Sequence, residues 1–201
     1  MRNVWIITAA MTVLAICYTM IIPFLPIYLL ELGVPKADVA LWSGLVFGIT
    51  FLIAGIMAPI WGKIADNKGK KRMALRAGFG IAVCYVLIGL VTDQYQLLMG
   101  RALVGFANGF YPAAMTMVSL SVDEKQVGRA LGIFQTGLIL GNVIGPFLGG
   151  AVESVVGMRP VFYVSGVAVL IATLAVLFFV KEPKLHAVGP DGTAQATQPT
   201  K

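Results

Sequence analysis

The 201-residue chain is 58% hydrophobic and only 12% charged, with a formal net charge of +6 and a mean hydropathy of +0.87. Soluble domains run at about 45–50% apolar and about 25% charged, so one small core cannot absorb this surplus and a water-soluble globule is excluded. Six membrane helices of about 20 residues need about 120 residues, which this chain supplies, and its basic excess is a topology signal rather than a nucleic-acid site.

The charges divide the chain into six apolar stretches, which predicts an all-α integral membrane bundle over residues 1–183. The spans fall near 4–30, 39–62, 73–92, 96–120, 130–152 and 160–180. Between Arg2 and Glu31 no charge occurs, a run of about 42 Å as helix against a hydrocarbon core of about 30 Å. Pro23 and Pro26 near its far end predict a bend there. In span three Arg76 is expected to snorkel to the headgroups. Span four contains Arg101, the one charge well inside a span. Spans five and six close the bundle, and residues 184–201, rich in Gly, Pro, Ala, Thr and Gln, read as a disordered cytoplasmic tail.

Orientation follows from the loops. Of the fifteen Lys and Arg, Lys36 and Arg159 fall on one side and Arg101 within a span; the remaining twelve share the other side. The positive-inside rule then puts both termini in the cytoplasm, as an even number of spans also requires. Cys17 and Cys84 lie in apolar runs without ligand-spaced neighbours, and the single histidine, His186, lies in the tail. Disulfide, zinc and intramembrane His chemistry are therefore not expected.

The end of span two reads Gly62, Asp66, Arg72, and the end of span five repeats that spacing as Gly149, Glu153, Arg159. One set faces inside and the other outside, which predicts two three-helix units of opposite topology, a 3+3 inverted repeat. Chance spacing is the competing account, since glycine, acid and arginine are all common at membrane boundaries.

Three stretches carry chemistry. The turn after span two runs Gly62-Lys-Ile-Ala-Asp66-Asn-Lys-Gly69-Lys70-Lys-Arg72. Its glycines permit a tight turn, and Asp66 sits among cations that it pairs with, or it docks on a helix N-terminus. Span five carries Gly137, Gly141, Gly145 and Gly149 on one helical face, with Pro146 and Gly150 added; such a face lets another helix approach closely. Arg101 costs about 2.5–3.5 kcal/mol at a helix centre. It follows Asp93 by eight residues, which places it in the outer third of span four, where snorkelling outward is the competing reading.

Tyr18 and Tyr111, with neighbouring Phe and Met, suit an adaptable apolar cavity; helix packing is the alternative for any one of them. Asn108 and Gln135 are amides in mid-span and need a partner or water. No Asp or Glu lies deep in a span: Glu31, Asp66 and Glu153 are all near interfaces. An aromatic pocket still binds lipophilic cations through ring faces.

The span-two turn resembles G-x-L-A-D-[RK]-x-G-[RK]-[RK] of the major facilitator superfamily, with Ile64 for Leu and Asn67 for the basic residue. Gly141-Asn-Val-Ile-Gly145-Pro146-Phe-Leu-Gly149-Gly150 is similar to the G-x3-G-P-x2-G-G antiporter motif of its drug:proton exporters. Leu97-x3-Arg101-x3-Gly105 resembles the span-four motif, with Val104 where Gln is common. Leu41-Trp42-Ser43-Gly44 and the Pro-Phe-Leu-Pro of span one add to the likeness with twelve-span multidrug exporters. The resemblance runs from about Met11 to Pro183 and covers an N-terminal six-span half, so 184–201 is also where the linker between halves begins.

It implies a proton-coupled exporter of amphipathic small molecules in the cell membrane, with no cofactor beyond the proton gradient. Gly62, Asp66, Gly69, Lys70 and Arg72 become the conformational gate, Arg101 the proton-coupling candidate, and Tyr18, Asn108, Tyr111 and Gln135 the cavity candidates. Besides substrate and bilayer, a second six-span half or another copy is the implied partner. The alternative is a truncated half that serves only as an assembly partner or is inactive. A six-helix serine protease lacks its base, and no G-x4-G-K-[ST] is present for an ATP-driven pump.

The orientation is checked by cysteine labelling from outside. Positions near Lys36 and Arg159 are expected to react and none from Lys63 to Arg72; strong labelling of that basic turn overturns the assignment.

Overall fold

The computed structural model describes residues 1–180, so the predicted tail at 184–201 lies outside the described residues. Hydrocarbon offers no hydrogen bonds, so a chain this apolar must satisfy its backbone internally. No strand occurs among the described residues.

Helix α1 (Arg2–Ile21) passes through one 3-10 turn at Ile22–Phe24 into α2 (Leu25–Glu31). Pro23 opens the turn and Pro26 the first turn of α2, where a missing N–H leaves no hydrogen bond broken. The expected bend in span one is this turn. Next come α3 (Val39–Lys68) and α4 (Lys70–Gly89), then α5 (Gln94–Ala107) and α6 (Phe110–Ser119). A second 3-10 turn at Glu124–Gln126 leads into α7 (Val127–Val156), and α8 (Met158–Phe179) closes the bundle.

Five of these helical segments are long and apolar enough to cross a membrane: Arg2–Glu31, α3, α4, Glu124–Val156 and α8. The fourth stretch differs from the continuous helix expected over 96–120. It is two helices, of 14 and 10 residues, interrupted at Asn108–Gly109 where Gly109 takes φ +139°. Pro112 supplies the reason: without an N–H it cannot bond the carbonyl of Asn108.

The two halves are built alike. Spans two and three are joined by a single residue, Gly69 at φ +96°, and spans five and six by Gly157 at φ +80°. Both α3 and α7 have 30 residues and an internal proline, Pro59 and Pro146, about two thirds along. The main packed pairs are α1 with α7, α3 with α5, α1 with α8, α4 with α5, and α4 with α8. Exchanging span one with four, two with five and three with six maps this set onto itself. The 3+3 inverted repeat expected from the Gly-acid-Arg spacing is therefore present in the fold.

Packing is closest along the glycine face of α7. A Cβ at Gly137 would lie 2.6 Å from Thr8 Cγ2 and Thr12 Oγ1. At Gly141 it would lie 2.7 Å from Ala15 Cβ and the Thr12 carbonyl oxygen, and at Gly145 2.7 Å from that of Ile16. Gly149 meets the Met20 carbonyl and Gly150 the Phe24 ring. Thr19 Oγ1 bridges the seam, donating to the carbonyls of Ala15 at 2.8 Å and Gly141 at 3.3 Å. Large apolar side chains such as Leu52, Phe147, Ile171 and Phe178 point outward, as lipid contact requires.

Gly145→Ala puts a methyl carbon into the α1 backbone and is expected to cost about 1–3 kcal/mol. Gly48→Ala meets nothing within 4 Å and is expected to be neutral or stabilising by up to about 1 kcal/mol through helix propensity. Thermal unfolding of both variants in one detergent checks the contrast; equal Tm values would remove the seam from the account.

Candidate functional site

The turn after span two is built by Gly69, which stops α3 and starts α4 within one residue. Lys70 donates to Asp66 across it, with the carboxylate side exposed and the lysine largely covered. Of the two roles expected for Asp66, pairing is observed; it does not cap α4, whose N-terminus has no side-chain cap. Gly62 has open space where a side chain would be, and Arg72 is exposed. Asp66, Gly62 and Lys70 line a cavity of about 390 Å³ that runs from this turn along α3 and α6 to Asn108, Tyr111 and Thr116.

A second, central cavity of about 380 Å³ lies between α1, α3, α4, α7 and the broken fourth span. Tyr18, Phe51, Tyr85, Phe110 and Tyr111 give it aromatic walls, and Asn108 and Asn142 give it amides. Tyr18 and Phe51 pack edge to face at 6.3 Å. Tyr111 is held from behind: Gln135 Nε2 donates to its hydroxyl at 2.9 Å, and Phe134 lies against its ring at 5.8 Å. Asn108 Oδ1 accepts from Gly109 N at 2.7 Å, which fixes the amide at the helix break.

Arg101 is 3% exposed. It is buried in the bundle and does not snorkel out from the outer third: Tyr85 and Tyr18 are within electrostatic range of its guanidinium, and α3 closes over its backbone. Thr50 Oγ1 donates to its carbonyl at 3.2 Å, and a Cβ on Gly105, one turn on, would lie 2.5 Å from the Thr50 carbonyl oxygen. Its Nε has no hydrogen-bond partner. Among the described residues no carboxylate pairs with it; the ion pair formed there joins Lys70 and Asp66.

The structure thus gathers Tyr18, Asn108 and Tyr111 in one cavity, with Gln135 reaching it through Tyr111 rather than lining it. Gly62, Asp66, Gly69 and Lys70 form a turn at the basic end, and Gly141, Gly145, Pro146, Gly149 and Gly150 form the seam with α1. Asn142 was not picked out from the sequence, although the rule applied to Asn108 and Gln135, an amide in mid-span, finds it too. Arg76 also differs from expectation. It lies half-buried with its guanidinium 3.5 Å from the centre of the Trp61 ring and bonds to carbonyls inside the bundle, because the break in span four leaves acceptors nearer than the headgroups.

Comparison with known proteins agrees with this architecture. The family model of the Major Facilitator Superfamily matches residues 7–200. "Multidrug resistance protein MdtG" of Proteus mirabilis (strain HI4320) is 41% identical over 182 residues, covering 90% of this chain and 45% of the relative. The protein of that name from Citrobacter koseri is 41% identical over 166 residues, covering 82% and 41%. The chain spans about half the length of the curated relatives it matches. Among solved structures, the human organic anion transporter MFSD10 (TETRAN) superposes with a TM-score of 0.79 at 17% identity, over 90% of this chain and 48% of that one. The POT family transporter PepTSo gives 0.79 at 17%, over 91% and 39%; at this identity the likeness speaks for the fold. An inverted-repeat helical bundle, a matching family model over nearly the whole chain and relatives at this identity make the conclusion plain: the chain belongs to the Major Facilitator Superfamily, a family of membrane transporters.

Proposed function

We propose that the chain forms the N-terminal six-span half of a proton-coupled exporter of amphipathic small molecules, in the cell membrane with both termini cytoplasmic. The observation that carries this reading is the central cavity. It is aromatic, holds two amides and no carboxylate, and sits beside a buried arginine. Aromatic walls take apolar ligand surface of many shapes, while a few amides orient whatever polar group the ligand carries. Export is supported by the complete glycine–proline stretch of span five and by relatives named for multidrug resistance.

Alternating access requires one body to rock against another around the site. A single six-span bundle has no such second body, so the proposed transporter needs a second half or another copy. In this reading the Gly62–Arg72 turn is the moving gate: Asp66 exchanges Lys70 for partners on the second body as the ends open and close. Tyr18, Asn108 and Tyr111 face the ligand, with Gln135 fixing Tyr111. Arg101 serves proton coupling by its charge, as an arginine does not release its own proton. The energy source is the proton gradient, with no bound cofactor.

The test is dye efflux from vesicles under an imposed pH gradient, for this chain alone and for the chain joined to a matching second half. Gradient-dependent efflux is expected from the joined protein and none from the chain alone. Robust efflux by the isolated chain overturns the half-transporter reading and points to pairing of copies or a self-sufficient bundle. No efflux from the joined protein overturns the exporter reading.

Asp66→Asn in the joined protein is expected to lower the efflux rate about tenfold or more while ligand affinity stays within about twofold, since a gate acts on the switch rather than on binding. Accessibility labelling that shows the same inward/outward balance in both proteins would sink the gating role.

A further inference from the structure

α5 ends on three consecutive carbonyls, those of Phe106, Ala107 and Asn108, which a continuous helix would bond to residues 110, 111 and 112. Here residue 112 is proline and Gly109 swings the chain aside at φ +139°. Among the described residues no backbone N–H closes on any of the three. Bare carbonyls inside a membrane bundle are costly, and two side chains from other helices take the place of the missing bonds. Trp61 Nε1, from α3, donates to the Phe106 carbonyl at 2.9 Å. Arg76 Nη2, from α4, donates to Ala107 at 3.1 Å and Asn108 at 3.2 Å. The guanidinium carbon lies 3.5 Å from the Trp61 ring centre, so each donor also holds the other in place.

What they hold is a wall. Asn108 and Tyr111 line both the cavity at the basic end and the central cavity. Arg76 lines neither, so its influence on a ligand passes through this segment. We infer that Arg76, braced on Trp61, is a positioning residue that fixes the segment Asn108–Tyr111 and thereby sets ligand affinity from behind the wall. The inference rests on reading the central cavity as a ligand site. Lysine does not substitute at position 76: its one nitrogen could reach two carbonyls, as Nη2 does here, but it has no flat face to stack on indole, and that stack is what holds the donor in place.

The 201-residue chain, with Cys17→Ala and Cys84→Ala, supports a test that needs no ligand. Tyr111→Cys supplies a thiol in the wall, and its rate of reaction with a polar methanethiosulfonate reports how often the wall opens. Arg76→Lys and Arg76→Gln are each expected to raise that rate about tenfold, as local opening becomes easier. Trp61→Phe keeps the ring but loses the N–H, and is expected to raise it less. The thiol from Lys36→Cys, exposed in the loop between α2 and α3, is expected to react at one rate throughout. If Arg76→Gln does not fold, Arg76→Lys and Trp61→Phe decide the matter. Unchanged labelling in those two folded variants overturns the clamp, and full rescue by lysine overturns it too, because charge alone would then suffice.

A second arm reads the ligand. In the transporter joined to its second half, Arg76→Lys is expected to raise KM for dye efflux about tenfold and leave kcat within about twofold, the pattern of lost uniform binding. Faster labelling with an unchanged KM would separate the wall from the ligand and overturn the affinity role. If even the unsubstituted transporter moves no dye, the exporter reading fails, while the labelling arm still decides the clamp.

Discussion

Inside a bilayer a backbone carbonyl without a partner has no water to turn to, and the places where this chain stops being helical are governed by that constraint. Every helix end leaves orphan carbonyls. At the end of α4, Tyr28 and Tyr163 donate to the carbonyls of Ile88 and Gly89 at 3.1 and 3.0 Å, and Arg159 approaches that of Val91 at 3.4 Å. Near the end of α8, Lys71 donates to the Leu177 carbonyl at 2.8 Å. At the end of α5 the donors are Trp61 and Arg76. Each donor comes from another helix, so a local backbone need becomes a contact between spans. Cationic donors gain further from the negative end of the helix dipole.

The second organising device is the inverted repeat, and its symmetry is broken where packing matters most. Connections, proline positions and helix pairs all repeat. The glycines do not. Gly137, Gly141, Gly145 and Gly149 of α7 are closed on by α1, whereas Gly44, Gly48, Gly55 and Gly62 on α3 meet nothing within 4 Å. Glycine in a helix interior costs about 1 kcal/mol relative to alanine, and of these two helices close approach by another helix offsets that cost for α7 and not for α3. In the proposed transporter, α3 lies where the second body rocks, so small residues there leave clearance for a moving surface. A seam that must stay shut and a face that must slide call for the same residue type for opposite reasons.

Much of this was legible from the sequence because the governing rules are simple. Charge spacing marks spans, a four-residue glycine period marks a close face, and the paired Gly62/Asp66/Arg72 and Gly149/Glu153/Arg159 spacings mark the repeat. The central cavity was partly legible: Tyr18, Asn108 and Tyr111 stand out as aromatic or amide residues in mid-span. The break in span four was not. Asn108, Gly109 and Pro112 all favour interruption, yet hydropathy runs on across them and a periodicity reading sees one span. Arg76 followed from the same omission. A basic residue one turn inside a span snorkels when the headgroups offer the nearest acceptors; once the helix opposite is broken, they no longer do. Long-range acceptors created by a backbone break have no local signature.

In the proposed transporter, Arg101 is the residue that would tie the candidate site to energy coupling. It is buried within electrostatic range of Tyr18 and Tyr85, its Nε is unpaired, and no described carboxylate reaches it. A buried charge without a partner is strongly unfavourable, and arginine cannot relieve the cost by losing its proton. Within the proposed transporter the missing counter-charge therefore belongs to something that arrives: a carboxylate on the second body or an acidic group on the ligand. A carboxylate brought near Arg101 would have its pKa lowered and release its proton; drawn away into an apolar wall, it would have its pKa raised and take one up. Rocking of the second body against this half would then convert motion into proton binding and release, with Arg101 as the fixed charge and the titrating group as the moving one. That arrangement would let a half with no acid deep in its spans take part in proton coupling, as the proposed function requires, and would give a buried arginine a use that an arginine at the headgroups could not have.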